Sequence, residues 1–282
     1  MKIKLSVGDR IGRIIVRIFL IIWSLIVLYP MFWALQTSFK TNKEFYQNIW
    51  NFPEVYHFEN YIDAWNKAKV GTFFLNSLYV TVLAMIGSLF IVSLAAYALG
   101  RFNNRFTRFM SNYFLLAYMI PSSIALIAQF FLMKNLNLVN SLEGLSLKYI
   151  ADSIPFSLFV LTGFFRTMPH ELEESAEIDG AGLFRTFVSV MLPLAKPGVM
   201  TIAIFNFLGF WNEYVFALIL MTDRAKYTIS VGIANLVAAA SFTPNWGMLF
   251  AACIIVMIPC IVLYCFFQRN ISEGMTSGAV KG

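Results

Sequence analysis

Six long apolar runs constrain this chain more than any other feature. They lie near residues 14–35, 73–99, 110–133, 153–165, 199–221 and 248–267. About 20 apolar residues in a helix cross a hydrocarbon core of about 30 Å. The fourth run has only 13 residues before Arg166 and needs upstream residues from Leu145 onward to cross. In lipid every backbone polar group must be satisfied internally, so runs of this length read as helices. The balance of residues agrees: 59% are apolar or aromatic and 13% charged. A soluble domain carries about 45–50% and about 25%. The expectation is an all-α integral membrane chain with six transmembrane helices. An ordinary cytosolic enzyme, a disordered chain and a coiled-coil rod are excluded.

The first run follows Arg10, Arg13 and Arg17, as a signal peptide would. It is too long for one, and its exit at Tyr29-Pro30-Met31-Phe32-Trp33 offers no small-residue cleavage site, so an uncleaved helix is expected. Of the 21 Lys and Arg, thirteen fall on the side holding the N-terminus, the 101–108 loop, the 166–198 loop and the C-terminus. Basic residues concentrate on the cytoplasmic side, so both termini are expected in the cytoplasm. The net charge of +6 therefore reports orientation, and no nucleic-acid partner is expected. Three cysteines, Cys253, Cys260 and Cys265, share one apolar run, which supports neither a disulfide framework nor a metal site. The segment 39–70 is rich in aromatics, among them Phe45, Tyr46, Trp50, Phe52, Tyr56, Phe58, Tyr61 and Trp65, and reads as an outer loop on the membrane surface. Those rings suit an interfacial belt or partner docking.

The loop 166–198 is the least ordinary stretch. Five carboxylates, Glu171, Glu173, Glu174, Glu177 and Asp179, lie within nine residues. Pro169 suits a helix start, acids near that end favour the helix dipole, and Gly180 suits a left-handed stop. The spacing predicts a helix of roughly ten residues, with Leu172 and Ala176 as a thin apolar stripe. A second short helix, near 183–191, should lead to Pro193. By itself this could be a solvated linker.

Its spacing resembles a known signature. Glu174-Ser175-Ala176, three residues, Gly180, nine residues, Val190, one residue and Leu192-Pro193 match the gapped pattern of integral membrane subunits of binding-protein-dependent ABC importers. Ser175 stands where that family usually has Ala. Asn76-Ser77, Ala96 through Arg101, Ile178-Asp179-Gly180-Ala181, Trp211 through Tyr214 and Gly278 through Gly282 resemble its carbohydrate branch, in particular the shorter maltose-transporter permease.

The resemblance implies a type I ABC importer transmembrane-domain fold in a bacterial or archaeal inner membrane. Residues 1–70 would form the N-terminal segment, first helix and outer loop, 71–270 the core, and 271–282 a cytoplasmic tail. Glu174, Ser175, Ala176, Asp179, Gly180, Leu192 and Pro193 would couple to a cytoplasmic ATPase. The implied partners are a second permease subunit, two ATPase copies, an external solute-binding protein and a sugar. The chain has no Gly-x4-Gly-Lys-Ser/Thr loop, so ATP and Mg would be bound by the partners and no cofactor by this chain. Ser241, Phe242, Asn245 and Trp246 would belong to a loop that reaches the binding protein, although the neighbouring alanines equally fit a helix end. Gly278, Lys281 and Gly282 would contact the ATPases, or else form a frayed tail.

Glu213 is the one carboxylate inside the six apolar runs themselves, where burial costs about 2.5–3.5 kcal/mol on insertion scales. With Asn206, Gly209, Asn212 and Phe216 it could line a sugar pathway; Asn206 and Glu213 could equally tie helices together. Glu213 could also carry protons in a secondary transporter, which would leave the acidic loop unexplained. An intramembrane enzyme lacks a candidate site, since His57 and His170 lie outside the spans and no HExxH occurs.

Overall fold

The computed structural model describes residues 7–279, with side chains from Gly12 to Gln268. Every regular element among the described residues is helical. Four helices are long and apolar enough to cross a membrane: α1 (Val7–Thr37), α4 (Val70–Arg101), α7 (Leu142–Thr167) and α14 (Trp246–Ala279). Short α2 (Asn42–Gln47) and α3 (Glu59–Asn66) fill the stretch after α1.

Two bent pairs raise the number of candidate spans to six if each pair counts as one span. α5 (Arg105–Met119) is followed by a 3₁₀ turn, Ser122–Ala125, and α6 (Leu126–Asn135), with a bend of 86°. The expected single helix over 110–133 is thus broken. Pro121 explains the break, because it disfavours helical backbone in the residue before it, and Ile120 is extended (φ −86°, ψ 119°). The second pair joins Leu183–Leu194 to α11 (Lys196–Asn212) at 73°. Its first arm is α9 (Leu183–Thr186), a π-helical turn at Phe187–Met191, and α10 (Leu192–Leu194).

The run expected as one helix over 199–221 also divides. α11 stops at Asn212, Glu213 is extended, and α12 (Val215–Leu220) starts afresh. The helix α13 (Ile229–Ala240), 12 residues long, lies where the sequence suggested only a loop. It is apolar enough to pack but too short to cross.

The chain divides into two compact units. One comprises Met1–Val70 with Asn235–Met257, and the other Gly71–Ala234 with Ile258–Gly282. In the first, Trp33 packs edge-on against Phe250 at 5.0 Å and donates to the Ile49 carbonyl at 2.9 Å. Lys40 is buried and donates to the Asn48 and Ile49 carbonyls; burial pulls its pKa down, against the opposing pull of Glu44. In the second unit two apolar clusters form. One gathers Val80, Leu145, Phe210 and Leu220, and the other Val92, Leu161, Phe165, Phe187 and Ile202. Gly100 lets α4 and α7 approach closely, since a Cβ there would lie 2.9 Å from the Phe165 Cβ.

Candidate functional site

The acidic loop folds as α8 (Glu171–Ile178), eight residues long and starting later than Pro169. Its first turn carries Glu171, Glu173 and Glu174, which complement the positive end of the helix dipole. It ends in a Schellman motif. The Ala181 N–H donates to the Ala176 carbonyl at 2.9 Å, the Gly180 N–H donates to the Glu177 carbonyl at 2.9 Å, and Gly180 has φ +76°. The left-handed stop expected at Gly180 is therefore present. Ala176 is the one buried residue of α8, and Leu172 packs partly against the cluster around Phe165. Glu174, Ser175, Glu177, Ile178, Asp179 and Gly180 face outward. Ile178 is 87% exposed, and Leu183 and Phe184 beside it are 66% and 71% exposed. The helix presents an uncovered surface of acids and large apolar side chains, while Leu192 and Pro193 lie a short helix further on.

One side chain grips α8 from the rest of its unit. Arg101, at the end of α4, is nearly fully buried and reaches the Glu173 carboxylate through both Nε, at 2.7 Å, and Nη2. The Tyr97 hydroxyl, one turn earlier, donates to the other Glu173 oxygen at 2.7 Å. Burial would raise the Glu173 pKa, but the hydrogen bonds from Arg101 and Tyr97 and the Arg101 charge hold it below the ordinary value. The sequence places Glu173 in the acidic run and Arg101 in a basic loop without joining them. The signal available was a lone basic residue in the last turn of α4, facing a loop with five carboxylates.

A cavity of about 1370 Å³ opens beside this site, between the end of α4, α5, α7 and α11. Arg101, Arg108 and Arg166 are among the residues that line it, together with a cluster of Tyr118, Phe156, Phe159 and Phe205. Tyr118 stacks on Phe159 at 6.1 Å, and Phe156 meets Phe205 edge-on at 5.6 Å. The hydroxyls of Ser111 and Thr162, both lining residues, are buried without a hydrogen-bond partner.

The residues expected along a pathway do not form one stripe. Asn206 is buried, and its amide donates to Ser88 and Ser157, each at 3.1 Å, tying α4, α7 and α11 together. Glu213 sits at the helix break. It accepts from the Phe216 N–H at 2.7 Å, the Ala217 N–H at 3.0 Å and the Tyr149 hydroxyl at 2.8 Å. Its carboxylate thus satisfies the first N–H groups of α12. Phe216 is buried, whereas Gly209 and Asn212 are exposed. The continuous face from Asn206 to Phe216 fails because the helix is interrupted between them.

In the first unit Trp246 stacks on Phe45 at 5.1 Å and donates to the Tyr46 hydroxyl at 2.9 Å. Asn245 accepts from the Met248 N–H at 3.2 Å through its side chain, opening α14. Ser241 and Phe242 stay uncovered, Phe242 being 87% exposed. Of the three C-terminal positions, Gly278 lies within the backbone of α14, and Lys281 and Gly282 fall outside the described residues. No group of three or more His, Cys, Asp or Glu able to hold a metal occurs among the described residues.

A multi-pass helical membrane chain, with broken spans and an acidic helix held outside them, is the architecture of a transporter's membrane subunit. The chain belongs to the family described as binding-protein-dependent transport system inner membrane component, which it matches over residues 93–277. It is 39% identical to the diacetylchitobiose uptake system permease protein NgcG of Streptomyces coelicolor, over 97% of this chain and 91% of that one. It is 30% identical to the maltodextrin transport system permease protein MalD of Streptococcus pneumoniae, over the full length of both. Its fold matches a chain of a bacterial ABC transporter that imports the acidic polysaccharide alginate, with a TM-score of 0.83 at 24% identity, covering 94% of this chain and 98% of that one. The fold is thus that of a type I ABC importer permease.

Proposed function

We propose that the chain is one of two membrane subunits of an ATP-driven importer of oligosaccharides, with α8 as the helix that docks on a cytoplasmic ATPase. The observation that carries this reading is the outward face of α8. An acidic helix, closed by a tight glycine turn and pinned at Glu173, leaves Glu174, Glu177 and Ile178 free for a partner. Glu174 would meet a basic group there, with Ser175, Ala176, Asp179 and Gly180 shaping the contact and Leu192-Pro193 leading back to the spans. Both termini and this loop lie in the cytoplasm, as the distribution of Lys and Arg supports. The chain binds no cofactor; two ATPase copies hold ATP and Mg.

The sugar assignment rests on relatives that take up diacetylchitobiose and maltodextrin. The cavity between α5, α7 and α11 fits such a cargo, because its aromatic cluster offers stacking faces. This moves the pathway assignment within the unit from Asn206 and Phe216 toward Tyr118, Phe156 and Phe205, with Gly209 and Asn212 retained as exposed positions. A second permease would supply the opposite wall. Ser241 and Phe242 are the positions offered to a solute-binding protein, with Asn245 and Trp246 anchoring that loop. A proton-carrying role for Glu213 is disfavoured, since its oxygens already hold a helix start and Tyr149.

The test is a Glu174→Cys chain assembled in the full complex with the ATPases and the second permease. A cysteine cross-link to the ATPase is expected. Its absence, with the complex intact, would overturn the docking assignment.

A further inference from the structure

Docking explains how α8 meets an ATPase but not how its movement reaches the spans. We propose that Arg101 and Glu173 form a rigid joint that makes α8 move as one body with the ends of α4 and α7, Arg101 being the positioning residue. This rests on the docking role proposed for α8.

The geometry is that of a hub. The Arg101 guanidinium donates through Nη1 to the carbonyls of Phe165 (3.1 Å) and Met168 (2.8 Å), at and just beyond the end of α7. Through Nη2 it reaches the Pro169 carbonyl at 3.4 Å and His170 Nδ1 at 2.9 Å, besides Glu173. Carbonyls in the last turn of a helix have no partner within it, so one side chain from α4 closes α7 and grips α8 together. A guanidinium presents five N–H donors in a fixed fork, which suits this task; the ammonium of Lys would supply three from a flexible stem.

Apart from this contact, α8 packs on α9 and on the π-helical turn that follows it, neither of which belongs to α4 or α7. It buries Ala176 and part of Leu172, and a helix of eight residues has little stability of its own. Glu173 is held from both sides, by Arg101 on one oxygen and Tyr97 on the other, and its depressed pKa keeps it ionised near neutrality. A close approach at Gly100 locks α4 to α7 just above the joint. Displacement of α8 therefore pulls on two spans through one charged contact.

The experiment uses the complete complex of both permeases, ATPases and binding protein in lipid nanodiscs. Spin labels replace Glu177 on α8 and Phe90 on α4, both exposed. Distances are measured without nucleotide and after trapping with Mg-ATP and vanadate. With Arg101 and Glu173 intact, the distribution should keep its mean and width in both states. In Glu173→Gln it should broaden, and shift between states by about 1–2 Å or more, the scale of helix displacements at switching interfaces. Tyr97→Phe, which removes one hydrogen bond and leaves the packing, should do the same to a smaller extent. Distributions in both variants that match the parent in both states would overturn the joint. So would a parent distance that changes between states. If the Glu174→Cys cross-link to the ATPase persists in either case, the joint alone fails and the docking assignment stands.

Discussion

Gly180 closes α8 in a left-handed conformation, and its replacement isolates the cost of backbone strain. A Cβ placed there would have nothing within 4 Å, so no steric clash adds to the change. What remains is the left-handed penalty of a residue with a Cβ, about 1–2 kcal/mol. That corresponds to a factor of roughly 5–30 in a local equilibrium. Gly180→Ala should therefore raise the opening of the α8 end by that factor. Gly180→Asn should cost less, because Asn tolerates this backbone, and Gly180→Val more, because β-branched side chains resist it. Hydrogen exchange of the Gly180 and Ala181 amides, both donors in the Schellman motif, reads this directly. Insertion and the exchange of α4 and α7 should be unchanged. Equal protection in Gly180→Ala and Gly180→Asn, or an effect spread across the spans, would refute the reasoning.

Asn206→Leu removes the buried hydrogen bonds that tie it to Ser88 and Ser157, each worth about 0.6 and at most about 1.7 kcal/mol in membrane proteins. Thermal unfolding in detergent should drop accordingly, and unchanged unfolding would argue against the tie. Glu213→Ala strips α12 of its start and Tyr149 of its acceptor, so it should destabilise more than Glu213→Gln, which keeps one acceptor oxygen; equal melting curves would contradict this. The Glu173 carboxyl has a lowered pKa in the folded chain, so its stabilisation is complete above the ordinary glutamate value of about 4.3 and is lost as pH falls through the lower folded value. Protection of α8 should hold from pH 7 to 5 and fail only below that range, and a loss already at pH 6 would contradict the role of the Glu173 carboxylate. Deleting residues 277–282 should lower ATPase stimulation with assembly intact; unchanged stimulation removes the tail from the contact.

The six spans and the acidic helix were legible in the sequence because each rests on a local pattern. Apolar runs of sufficient length and a Pro, Glu-rich, Gly order need no knowledge of tertiary contacts. The breaks were not legible in the same way. The apolar run resumes on both sides of Pro121-Ser122-Ser123 and of Asn212-Glu213-Tyr214, so each reads as one helix although Pro121 and the polar pair Asn212-Glu213 supplied clues. α13 escaped because a mostly apolar helix of 12 residues falls below spanning length. The Arg101–Glu173 contact joins residues 72 apart, which spacing within either segment cannot show. Asn206 illustrates the remaining ambiguity. A polar side chain in a span satisfies its hydrogen bonds either with cargo or with neighbouring helices, and only the position of Ser88 and Ser157 decides between them.

ATP hydrolysis by the reconstituted complex, with and without the sugar-loaded binding protein, tests the coupling role most directly. The parent complex should be stimulated by the binding protein. Glu174→Ala, which leaves a desolvated partner charge at a cost of about 2–5 kcal/mol, should assemble in the membrane yet lose that stimulation. Hydrolysis indifferent to the binding protein in the parent, or normal stimulation in Glu174→Ala, would contradict the account.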